Sequence, residues 1–186
     1  YPEYGIWIDV EPKDFIWNYK LLRTVDEVEG VINQLIKDRK PISLDTETEN
    51  LNKKKNTSLG MIQIANDPRM VYAIPWLHYE SPFNSEDLDR LKVILQRFFG
   101  STEIPYWITW NCKFELNILE NTIETSLATK IYDGICAEFL LDDNRLERVT
   151  EFKYGVYTLK QLGLDRIGYD GWNKAVLAAR GDGSLM

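Results

Sequence analysis

The chain has 186 residues, 44% of them hydrophobic and 27% charged, a size and balance that suit one well-filled globular core. Its net charge of −7 excludes the broad basic footprint of a non-specific duplex binder, although a small acidic site holding cations remains compatible with phosphate ligands. Two cysteines, Cys112 and Cys136, exclude a disulfide framework or a paired zinc motif, and no apolar run reaches membrane-span length, so a cytoplasmic chain without membrane contact is expected.

In chain order, residues 1–23 form an aromatic-rich segment without a clean period, read as an entry strand or a lid. Thr24, with Glu27 three residues later, caps a helix carrying Val25, Val28, Ile32, Leu35 and Ile36 at helical spacing. A strand from Pro41 to Leu44 leads into Asp45-Thr46-Glu47. Runs at Gly60 to Ala65 and Met70 to Ile74 then form a hairpin around Asn66-Asp67-Pro68-Arg69. Asn84 opens a helix with Leu88, Leu91, Ile94, Leu95 and Phe98 as its stripe, stopped at Gly100.

Tyr106 to Trp110 reads as a strand, after which Asn111 caps a helix bearing Phe114, Ile118 and Leu119. Asp133 caps a further helix through Leu141, and Thr158 with Gln161 makes a second capping box for a helix ended at Gly163. A three-strand meander followed by alternating helices and strands predicts an α/β fold with a mixed sheet and helices on its faces. The core is expected over residues 24–164 and a tail over 165–186. The turn-rich end after Gly181 suggests a piece of something longer.

Asp45 and Glu47 carry the chemistry. Residues i and i+2 of a strand share a face, so the two carboxylates stand side by side and repel unless one is protonated or a cation lies between them. All-oxygen ligation suits Mg²⁺ or Mn²⁺. A solvated acidic strand end is the plain alternative. Glu115, near the start of the helix that Asn111 opens, supplies a third acid if its strand neighbours that of Asp45.

These motifs resemble the DEDD superfamily of 3′–5′ exonucleases, and within it the proofreading domains of the DNA polymerase I (family A) type. Asp45-Thr46-Glu47-Thr48-Glu49-Asn50-Leu51 is similar to the first exonuclease motif, and Gly60-Met61-Ile62-Gln63-Ile64 to the strand that follows it. Asn111 and Phe114 fit the second motif, with Glu115 where that motif has Asp. Tyr132 through Asp142 resembles the next strand, cap and helix. No Tyr here has Asp four residues later, and the sole His, His78, precedes the second motif, so the third motif is absent from this chain and either lies downstream of Met186 or has been lost from the domain.

The resemblance implies an RNase H-like fold with a mixed five-stranded sheet, and two-metal phosphodiester hydrolysis at single-stranded DNA 3′ ends with Mg²⁺ or Mn²⁺. It implies Asp45, Glu47 and Glu115 as catalytic metal ligands. Nucleic-acid contacts would come from Thr46, Thr48, Leu51, Asn111 and Phe114, and a covalently linked polymerase domain is the implied partner. Two other readings share these motifs: a ribonuclease D-like RNA exonuclease, and a catalytically silent module that binds nucleic acid or braces a neighbour. Lys53-Lys54-Lys55 reads as a solvated charge run or as a steering patch for phosphate.

Overall fold

The sheet grows around β2 (Ile42–Thr48), whose alternation of buried Ile42, Leu44 and Thr46 with exposed Ser43, Asp45 and Glu47 gives it one core face and one open face. The structure, a computed structural model, describes residues 18–48, 58–77, 81–145 and 156–168. Two compact units divide the chain, with the break after Ala137. In the larger unit, β2 pairs antiparallel with β3 (Leu59–Asp67), and β3 pairs antiparallel with β4 (Met70–Pro75) across the expected turn at Pro68-Arg69. On the other side of β2, β5 (Tyr106–Thr109) and then β6 (Lys130–Asp133) join in parallel.

The α/β expectation holds, with one addition. A sixth strand, β1 (Asn18–Leu21), pairs in parallel with β4 and makes the order β1-β4-β3-β2-β5-β6. It is mostly exposed, so the hydrophobic alternation that reveals a half-buried strand is missing from its sequence. Residues 1–17 lie outside the described residues, as do Glu49, Asn50, Leu51 and Lys53-Lys54-Lys55.

Two helices cover the core face. α1 (Val25–Asp38) is capped by Thr24, whose hydroxyl accepts from the Glu27 N–H at 3.2 Å; the Glu27 carboxylate in turn accepts from the Arg23 N–H at 2.9 Å, one residue before the cap. α2 (Ser85–Phe99) has a complete capping box between Asn84 and Asp87. Both bury their apolar stripes in one cluster with Ile42, Leu44, Ile62, Ile64, Ile74 and Trp107. The fully buried Trp107 ring meets Phe98 edge-on at 5.2 Å and Phe99 at 5.5 Å.

Beyond β5 the chain enters α3 (Cys112–Ile118), which continues as one π-helical turn over Leu119–Ile123, with Ile118, Leu119 and Ile123 buried. α4 (Gly134–Leu141) follows β6 directly. In the smaller unit, α5 (Leu159–Ile167) starts as expected, Thr158 accepting from the Gln161 N–H at 3.2 Å. It does not end at Gly163. The helix runs through that glycine, at a cost of about 1 kcal/mol relative to alanine, and stops at Gly168, whose φ of 65° is the left-handed conformation that ends helices. Within this unit Asp165 pairs with the buried Arg145 and accepts from the Gln161 amide at 2.8 Å. No helix among the described residues is long and apolar enough to cross a membrane.

Candidate active site

Asp45 and Glu47 project from the open face of β2, opposite the face that packs on α1 and α2. Across the ladder Asp45 is in register with Gln63 and Glu47 with Met61, so the Gln63 carboxamide shares the acid face. Counting back from the hairpin turn would have found it. The register shifts between Glu47, opposite Met61, and Thr48, opposite Leu59, so that Gly60 of β3 is the extra residue of a bulge. A Cβ at Gly60 would lie 3.3 Å from the Glu47 carbonyl oxygen, so glycine lets the two backbones approach where the second acid is placed.

Glu115 arrives from the other side. β5 runs parallel beside β2, with Ser43 opposite Ile108, and its continuation α3 packs against β2. The neighbouring strands that convergence of the three acids requires are therefore present. Glu115 is the fourth residue of α3, only 2% exposed, and its Oε2 finds no hydrogen-bond partner among the described residues. Burial pushes its pKa up to about 7, the bond from its own N–H works against the rise, and the negative charges of Asp45 and Asp133 add to it. Asp45 meets solvent at its rim, yet the protein packed around its carboxyl raises its pKa as well, against a hydrogen bond from the Thr46 backbone.

An acid surrounded like Glu115 is costly to ionise and has no internal base to pair with, which is the condition a divalent cation relieves. The donor set is all oxygen and fits Mg²⁺ or Mn²⁺. Among the described residues no three or more His, Cys, Asp or Glu side chains are drawn together closely enough to hold a metal ion. Crevices of about 460 Å³ lined by Trp76, Leu88 and Lys92, and by Pro41, Ser43 and Ile108, include none of the three acids.

The remaining candidate residues occupy different settings. Thr46 is 6% exposed and points into the core, because alternation puts it opposite Asp45 and Glu47, so only its backbone faces their side. Phe114 is half-buried against the core, and Thr48 stands half-buried at the bulge. Asn111 does not cap α3 with its side chain. It adopts φ 74°, a left-handed conformation that asparagine tolerates, and makes no side-chain cap hydrogen bond.

The cap comes from β6. Asp133 accepts from the N–H groups of Asn111 at 3.1 Å, Cys112 at 2.8 Å and Ile135 at 2.9 Å, so one carboxylate closes the starts of both α3 and α4. Its expected capping of α4 holds; its reach to α3 bridges more than twenty residues and leaves no local sequence signal. Burial works to raise the Asp133 pKa, but the bonds from Cys112, Asn111 and Ile135 prevail and lower it. The Cys112 thiol is pushed up to about 11, first by burial and then by Asp133.

Residues 19–163 match the 3′–5′ exonuclease family. No curated protein matches the chain. Among solved structures, Trypanosoma brucei RNase D in complex with RNA U12 superimposes with a TM-score of 0.62 at 15% identity, over 89% of this chain and 52% of that one. The same enzyme's GMP complex gives 0.60 at 12% identity, over 89% and 48%. The chain thus spans about half the length of the RNase D chains it resembles. At these identities the likeness shows the fold, an RNase H-like α/β fold of the kind found in DEDD exonucleases. The family match spans most of the chain and reaches from β1 into α5, taking in every strand of the acid-bearing sheet: the chain belongs to the 3′–5′ exonuclease family.

Proposed function

We propose that the chain is a metal-dependent exonuclease that removes nucleotides from single-stranded 3′ ends, with Asp45, Glu47 and Glu115 as its ligating acids. The observation that carries this is the buried Glu115 carboxylate, whose Oε2 has no hydrogen-bond partner among the described residues and which feels the charge of Asp45, in a member of this family. Bound Mg²⁺ or Mn²⁺, two ions in the full site, would supply an activated water and charge stabilisation for the leaving 3′ oxygen. The Glu115 carboxyl is buried and its pKa is pushed up to about 7, so it is primed to exchange a proton for a cation. Glu115 is the acid that would give up its proton near neutral pH. Glu47, the second acid on the open face of β2, would orient that water. Thr48 and Asn111, near these acids in sequence, would contact the terminal nucleotide, with Leu51 the expected packing residue for its base.

RNA is the substrate supported by the likeness to RNase D, whose structure holds RNA U12. The second reading, proofreading of DNA beside a linked polymerase domain, is supported by the resemblance of Asp45 through Leu51 to the first motif of polymerase I-type domains. Incubating the chain with 5′-labelled single-stranded RNA and DNA oligonucleotides and Mn²⁺ tests both. The expected result is a ladder shortening from the 3′ end, lost with chelator and in Asp45→Ala. No shortening of either polymer overturns the enzyme reading in favour of a silent binding module. The polymer degraded faster decides between the other two.

A further inference from the structure

We infer that Asp133 is a positioning residue for the metal site: its carboxylate clamps the first turn of α3 and so sets where Glu115 stands relative to Asp45. The inference rests on the reading of Asp45 and Glu115 as metal ligands and adds a residue that the acid motifs do not contain.

The first N–H groups of a helix lack intrahelical partners, and a helix that supplies no side-chain cap of its own frays at that end. α3 is such a helix, since Asn111 is left-handed and caps nothing with its amide. Its far end is held by Ile118, Leu119 and Ile123 in the core. Its near end is held by Asp133 through two consecutive N–H groups, one on each carboxylate oxygen. Glu115 lies between these anchors, three residues after Cys112, where a shift of one residue would swing it by about 100°.

The clamp is also referenced to the sheet. Asp133 ends β6, in register with Thr109 at the end of β5, so the residue that holds α3 is fixed to the strand from which α3 emerges. Its third acceptor contact, to the Ile135 N–H, ties α4 to the same oxygen that holds Asn111. A carboxylate suits this position because both oxygens accept. A carboxamide offers one acceptor and turns its NH₂ toward an N–H.

The test uses the 186-residue chain with two readouts, amide hydrogen exchange without metal and Mn²⁺ binding by water-proton relaxation. In Asp133→Ala, amides of α3 are expected to exchange at least about tenfold faster relative to those of α2, and Mn²⁺ affinity to fall about tenfold or more. Asp133→Asn, the milder change should the alanine variant fail to fold, falls between wild type and alanine in both. Asn84→Ala removes the cap of α2 and serves as the control; it speeds α2 exchange and leaves Mn²⁺ affinity unchanged, which a general loss of stability would not do. Unchanged α3 exchange in both Asp133 variants overturns the clamp. Faster α3 exchange with native Mn²⁺ affinity overturns the positioning role. If the unsubstituted chain takes up no Mn²⁺, the metal reading itself falls, and with it the role assigned to Asp133 toward that metal.

Discussion

The Asp45 carboxylate acts on Glu115 as a like charge, adding to the burial that does most to lift the Glu115 pKa to about 7. A folded acid held above its ordinary 4.5 keeps a proton that the unfolded chain has already released. Its contribution to stability is therefore complete below about pH 4.5 and is lost as pH rises through about 7. At about 1.4 kcal/mol per pH unit the change is on the order of 3 kcal/mol, and the raised Asp45 carboxyl adds in the same direction. Urea melts in the absence of metal should show stability falling between pH 5 and pH 7.5, with most of that slope absent in Glu115→Gln. A flat profile in the unsubstituted chain would mean that Glu115 is ionised in the folded state at low pH.

Divalent binding should reverse the effect. A cation that ligates Glu115 displaces its proton, so at pH 6, below the pKa of about 7, uptake of Mn²⁺ is expected to release close to one proton, and affinity should rise with pH until Glu115 is ionised. Calorimetry in two buffers of different ionisation enthalpy counts the proton. Identical heats in both buffers would remove Glu115 from the ligand set.

Gly134 opens α4 against the face of Trp110. A Cβ there would sit 2.3 Å from the indole Cε3, closer than any tolerated contact. Gly134→Ala must displace the ring, and overpacking of this kind typically costs about 1–3 kcal/mol. Chemical denaturation reads the loss; stability within a few tenths of wild type would mean that Trp110 moves aside freely.

Trp107 is the central side chain of the core, fully buried against Phe98 and Phe99. Trp107→Ala should cost about 3–5 kcal/mol. Trp107→Phe should cost less, because it keeps an aromatic ring against Phe98 and Phe99 and leaves a smaller cavity. Equal losses in the two variants, measured by urea melts, would show that a phenyl ring recovers none of the packing at this position.

In the smaller unit, Arg145 is 6% exposed, pairs with Asp165 and donates to the Val156 carbonyl at 3.1 Å. Arg145→Met should destabilise that unit less than Asp165→Ala relative to the burial each loses, because the alanine variant leaves a buried guanidinium without its counter-charge. Site-resolved hydrogen exchange on α5 measures both, and the reverse order would argue that the pair is effectively solvated.

Elements whose residues talk to near neighbours were legible in the sequence. The stripes of α1 and α2 follow helical spacing and the caps at Thr24, Asn84 and Thr158 are local, so these helices begin where expected. The Asp45–Glu47 pairing on one face follows from strand alternation alone. What escaped was long-range or permissive. Asp133 serves α3 across the sheet, and nothing beside Asn111 announces it. Gly163 looked like a stop because glycine is a poor helix former, yet the cost of carrying it is small compared with the packing of a continuous helix. Thr46 was grouped with its acidic neighbours by motif, although period two sends its side chain the other way. The burial of Glu115, which gives that acid its chemistry, depends on how α3 lies on β2 and has no counterpart in the order of residues.

The register shift between Glu47 and Thr48 also insulates the acid pair from length variation. Up to that point, Ser43 through Glu47 follow an unbroken ladder with Ala65 through Met61 that fixes which face each side chain takes. Beyond it the pairing starts afresh at Leu59. Residues added or removed after Thr48 change the path between the strands without transmitting a one-residue slip back to Asp45, so relatives can differ in that connection while presenting the same two acids to the same side.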